Sequence, residues 1–141
     1  MSDSTYHTGV DETLAESVVR VARTSLGDTL RSVVAFTPAE FDVLYVRSDL
    51  YDSAAAARAA KWQLVSFERV GFAEAPIRDA SADAEPSSIG PYEFTVRFHE
   101  DGFVARVLEG SLGVLLTTDD MDVTAFAEAA TAIKRLLADR G

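Results

Sequence analysis

The side chains able to do chemistry are few and scattered. His7 and His99 are the two histidines. His7 lies in a polar leading segment. His99 sits on the wet face of an alternating strand, one residue before a turn. A catalytic histidine needs a nucleophile or an orienting carboxylate within reach. Glu100 and Asp101 follow it directly, but adjacent strand and turn residues point apart. An exposed histidine at a hairpin end is the plainer reading. The chain has no cysteine, which removes disulfides, thiolate metal sites and cysteine nucleophiles.

Asp119, Asp120 and Asp122 offer carboxylates of the kind that hold hard cations. The calcium-loop pattern is missing, because neither its glycine nor its distal glutamate is in place. Capping of the helix that follows is the better account, since acids suit a helix N-terminus. Asp49 and Asp52 read the same way before an earlier helix. The glycines form no dinucleotide, phosphate-loop or nucleophile-elbow signature. Gly110-Ser111-Leu112-Gly113 falls one residue short of the elbow, between two antiparallel strands. No catalytic residue, metal ligand or cofactor is therefore expected.

Four arginines, Arg31, Arg47, Arg97 and Arg106, fall on predicted strands. On an acidic chain they are the polar feature that stands out. Arg31, Arg47 and Arg97 are candidate contacts for an anionic ligand or a partner's carboxylates, which a guanidinium grips with two parallel hydrogen bonds. The competing reading is pairing within the sheet to Glu93, Asp42 or Glu109. Trp62 and Tyr51 are candidate interface anchors, or else core residues.

The elements that must position these groups follow from periodicity. Residues 1–10 are polar and expected to fray. A helix spans Glu12 to Leu26, with Leu14, Val18, Val21 and Ser25 on its stripe, Val19 and Ala22 widening it, Thr13 to Glu16 as a capping box and Gly27 as its stop. Leu30–Phe36 and Phe41–Arg47 flank the turn Thr37-Pro38-Ala39-Glu40 and form a hairpin. Both faces of that hairpin are apolar, which places it at the centre of a sheet. A second helix runs from Ala54 to Val70, with Ala57, Ala60, Leu64 and Phe67 inward and Gly71 as its end. Residues 73–91 turn to Ala, Ser, Pro and acids, and read as a long acidic surface loop or a flap over a site. Tyr92–His99, Phe103–Leu108 and Leu112–Thr118 are three more strands. A last helix covers Val123 to Ala138. The fold class is α+β, with a five-stranded antiparallel sheet and three helices in the order α-β-β-α-β-β-β-α.

A chain of 141 residues, 48% hydrophobic, is expected to be a single domain over 1–141 with a sizeable core. It contains no membrane-length apolar run, and Met1 to Thr5 lacks the features of a signal peptide. A cytoplasmic location is expected, with no membrane partner. Acids outnumber bases 23 to 13, giving a net charge of −10. That surface repels phosphate backbones, so no nucleic-acid partner is expected. Lys61 and Lys134 are the only lysines.

This acidic, lysine-poor composition resembles that of proteins from halophilic archaea. The segment from Gly27 to Leu50, GDTLRSVVAFTPAEFDVLYVRSDL, resembles the start of a family of small haloarchaeal proteins of unknown function. Those share a G-D-x-L-R pattern followed by a hairpin ending in L-Y-x-R, and the resemblance implies no catalytic residues. The element order is similar to that of roadblock/longin-type domains, which implies a small regulatory module that dimerises. The leading expectation is a non-enzymatic interaction or regulatory module, homodimeric, with a possible further protein partner. The alternative is a ligand-sensing domain of profilin-like or PAS-like shape. An enzyme using carboxylate or tyrosine chemistry ranks last.

At about 1 M salt the Debye length falls to about 3 Å, which screens self-repulsion among the carboxylates. The melting temperature should therefore climb as KCl is raised from millimolar to molar concentration. A flat melting temperature across that range would contradict the salt-adapted reading.

Overall fold

A computed structural model describes residues 6–84 and 90–140. Its helices α1 (Glu12–Leu26), α2 (Ala54–Glu68), α3 (Val70–Ala84) and α4 (Val123–Ala138) surround one sheet. The strands are β1 (Leu30–Phe36), β2 (Phe41–Val46), β3 (Thr95–His99), β4 (Gly102–Glu109) and β5 (Leu112–Thr118). They are antiparallel and lie in the order β2-β1-β5-β4-β3. The α+β class, the five strands and the three expected helices are all present, and α3 is an addition.

The sheet separates two apolar layers. On one face α1 and α4 bury Val18, Ala22, Leu26, Phe126 and Ile133 against Leu30, Val33, Val107, Val114 and Leu116. On the other, Val65 of α2 and Phe72 of α3 meet Val34, Phe36, Val104, Leu108 and Leu115. Leu30 shares its face with Val33 rather than with Val34. A register shift between Leu30 and Ser32 flips the alternation there, as a bulge does. The strict two-residue period expected for this strand therefore fails at its start.

The hairpin forms as expected, closed by the Thr37 N–H donating to the Glu40 carbonyl. Only its first half is central. β1 lies between β2 and β5, whereas β2 is an edge strand and its later residues are half-buried. This edge strand is covered by α1 on one face, over Leu44 and Tyr45, and by α2 on the other, over Phe41 and Val43, which accounts for the two-sided apolarity.

Helix α1 keeps its expected span, but its cap is Asp11, whose carboxylate accepts from the Leu14 N–H at 2.7 Å. Its inward face is Ala15, Val18, Ala22 and Leu26, so Val18 and Ala22 are inward as expected while Leu14, Val21 and Ser25 are half-buried at the side. The expected frayed tail is also corrected for its later part. Asp42, itself buried, accepts from the backbone N–H groups of His7 at 2.9 Å and Thr8 at 2.8 Å. Val10 is buried against the core beside it. Residues 1–5 of that tail lie outside the described residues.

The expected loop over 73–91 is a helix as far as Ala84. Its alanines favour helix strongly enough to outweigh the one hydrogen bond that Pro76 cannot make. The remainder, 85–89, lies outside the described residues. Nor does Gly71 end a helix: α2 stops at Glu68, Arg69 interrupts, and α3 restarts at Val70.

Candidate functional site

Helix α2 carries Lys61, Trp62 and Glu68, and its rotation decides which of them reach the sheet. Ala57, Lys61, Val65 and Glu68 are its buried residues. Ala60 and Phe67, expected inward, are exposed, and Phe67 is 55% accessible. Glu68 pairs with two arginines of the sheet, and Lys61, seven residues before it, lies on the same side; a hydrophobic stripe reveals neither.

Glu68 is fully buried and bridges two strands. Its Oε2 accepts from Arg97 Nε on β3 at 2.7 Å, and its Oε1 from Arg106 Nη1 on β4 at 3.3 Å. Arg106 is buried too, and its Nη2 donates to Glu74 of α3 at 3.0 Å and to the Thr95 hydroxyl at 3.1 Å. Arg97 also lays its guanidinium over the Phe67 ring, 4.7 Å from the centroid. Gly71 makes this packing possible. A Cβ built there would stand 2.6 Å from Arg106 Cζ and 2.8 Å from Leu108 Cδ1.

A second cluster ties together one end of the sheet. Asp119 Oδ1 accepts from Arg31 Nη1 at 2.8 Å, and its Oδ2 from Arg47 Nη1. Arg47 also donates to Asp49 at 2.7 Å and to the Asp28 carbonyl at 2.9 Å. The Arg47 hydrogen bond, then that of Arg31, holds the Asp119 carboxyl below its ordinary range, and Arg47 does the same for Asp49.

The candidate residues thus fall into separate places. Arg31 and Arg47 meet on Asp119, while Arg97 lies in the Glu68 cluster. Trp62 stands apart at 58% exposure on the flank of α2. None of the three arginines pairs with Glu93, Asp42 or Glu109 as the sheet-pairing reading expects. Asp119 and Asp49 are not caps either. Ser53 caps α2 and Asp122 caps α4, each accepting an N–H three residues on. Sequence reasoning missed Glu68, Asp119 as a bridge, and Lys61. The seven-residue spacing of Lys61 and Glu68 on one helix was the available signal. Among the described residues no three His, Asp or Glu side chains are grouped to hold a metal ion. No helix among them is long and apolar enough to cross a membrane.

Two outcomes follow from these clusters. Removing one partner of a buried pair leaves uncompensated charge, so Glu68→Ala should cost about 3–5 kcal/mol in urea unfolding. A loss below about 1 kcal/mol would equate the cluster with an ordinary surface pair. For Asp119 the folded-state pKa is depressed, so its stabilisation is present above the ordinary carboxylate value of about 3.9 and fades as pH falls further. Asp119→Asn should therefore melt lower than wild type at pH 7, and the gap should close below about pH 4. A gap independent of pH would assign the loss to packing instead.

No curated protein matches the chain. Residues 16–138 match the domain of unknown function DUF7522, which takes in both clusters and all five strands. The chain belongs to the DUF7522 family.

Proposed function

We propose that this chain is a non-enzymatic interaction module of the cytoplasm that works as a homodimer, with the outer face of α2 as its self-contact. One observation carries the reading. On a chain of net charge −10, α2 shows no exposed carboxylate. Its single acid, Glu68, is buried. The outer surface is Ala55, Ala56, Ala59, Ala60 and Gln63, flanked by Trp62 and Phe67.

Two copies of an acidic protein repel each other wherever carboxylates face carboxylates. A face without them is where like can meet like. Alanines let two helix backbones approach closely, and a flanking tryptophan is the kind of side chain that anchors an interface. Close by, β3 is an edge strand, and Phe98 on it is 76% exposed. The strand order, with α2 on one face and α1 and α4 on the other, is similar to that of roadblock/longin-type domains. That likeness is one of topology, and it supports a regulatory role for the dimer. The acidic surface fits a haloarchaeal type of cytoplasm.

Light scattering in molar KCl tests this. Wild type is expected at twice the chain mass, and the double variant Trp62→Glu with Gln63→Glu at the chain mass. The melting temperature of an isolated subunit should barely change, because both side chains are already solvent-facing in the monomer and lie outside the ion-pair clusters. A wild-type monomer at every accessible concentration would overturn the proposal.

A further inference from the structure

Lys61 is the most unusual side chain of the molecule. It lies under α2 on the sheet side and is 6% exposed. A lysine this deep normally has a carboxylate against it; here the aliphatic stem is buried while the ammonium keeps contact with solvent. Among the described residues Lys61 has no ion pair and no hydrogen bond. Its one polar contact is the face of the Tyr51 ring, 5.7 Å from the centroid. Glu68, the only acid on the same helix, is already committed to Arg97 and Arg106.

Lys61 also lines a cavity of about 340 Å³ at the end of the sheet. The inner wall is Lys61, Arg31, Leu64, Val104 and Thr117. Thr117 is buried, and its hydroxyl is hydrogen-bonded to that of Ser32. His99, Glu100 and Asp101 form the rim, and all three are solvent-exposed. The charge is thus divided by depth. Two cations line the inner part, one of them without a counter-charge among the described residues, and two carboxylates stand in water at the mouth. Arg31 uses Nη1 on Asp119 and is still 30% exposed, so its remaining N–H groups are available.

We propose that this cavity binds a small monoanionic carboxylate, with its charged end against Lys61 and Arg31 and its apolar part against Leu64 and Val104. The size admits a compound of a few carbon atoms. The rim acids repel polyanions such as nucleotides, while a single negative charge passes between them at modest cost in a salt-screened medium. The carboxylate supplies the counter-charge that the fold does not. This site lies on the sheet side of α2 and is independent of the self-contact proposed for the outer side.

Titration behaviour agrees with the geometry. Burial, helped by the charge of Arg31, pushes the Lys61 ammonium down to about 8. At neutral pH it is still mostly charged, and a bound carboxylate favours that form further. Affinity should therefore hold below pH 8 and fall above it, as the amine loses its proton.

The experiment is an NMR titration of the full-length protein with potassium acetate at constant ionic strength, with potassium chloride and potassium phosphate as parallel arms. Acetate is expected to give saturable shifts of the Arg31, Lys61, Gly102 and Thr117 amides. Those shifts should weaken from pH 7 to pH 9 and vanish in Lys61→Met. That variant keeps the buried apolar stem, replaces the ammonium by an apolar end and should melt no lower than wild type, which separates loss of binding from loss of fold. Absence of saturable acetate shifts overturns the proposal. So do equal shifts with chloride, tighter binding of phosphate, or unchanged binding in Lys61→Met.

Discussion

The placement of Glu68 between Arg97 and Arg106 is the constraint on which the rest of the architecture depends. A buried carboxylate tolerates few positions, and once it is paired to two strands the rotation of α2 is set. That rotation turns Lys61 and Val65 to the sheet and sends Trp62 and Phe67 outward. A helix placed by hydrophobicity alone would settle differently, with Phe67 inward and Lys61 in water. Charge pairing has overridden greasiness here, at the expense of leaving aromatic side chains in solvent. Buried pairs give little net stability compared with apolar packing, but they penalise wrong arrangements heavily. In this fold the pair acts as a selector of helix orientation.

Much of the fold is legible in the sequence because its strands obey simple periodicity. Phe41 to Val46 and Leu112 to Thr118 are β-branched and apolar, and they form strands as their composition demands. The helix boundaries of α1 and α4 follow from their punctuation. What failed did so for identifiable reasons. Residues 73–84 look like loop because serine, proline and acids interrupt the apolar pattern, yet the interspersed alanines carry the helix. Asp42 reads as a sheet partner for a strand arginine, but it fixes backbone groups 34 and 35 residues before it, and no local rule reports such a contact.

The candidate sites were less legible still. Arg31, Arg47 and Arg97 stood out by residue type, but their partners are distant in sequence: Asp119 for the first two and Glu68 for the third. Lys61 drew no notice because a lysine in an alanine-rich helix reads as a solubilising residue. Its meaning exists only in relation to what surrounds it. Trp62 was equally compatible with core and surface until the helix rotation was known.

Gly71 has a consequence of its own. Its backbone lies directly against Arg106, where a Cβ would stand 2.6 Å from the guanidinium carbon. If α3 were to slip by a single residue, Val70 or Phe72 would occupy that spot and clash. The glycine therefore marks register in the way a notch fixes a key, converting a smooth helical surface into one with a single seating. Because α3 follows α2 after only Arg69, that seating is shared along both helices, so the frame of the whole segment is anchored by the absence of one methyl group.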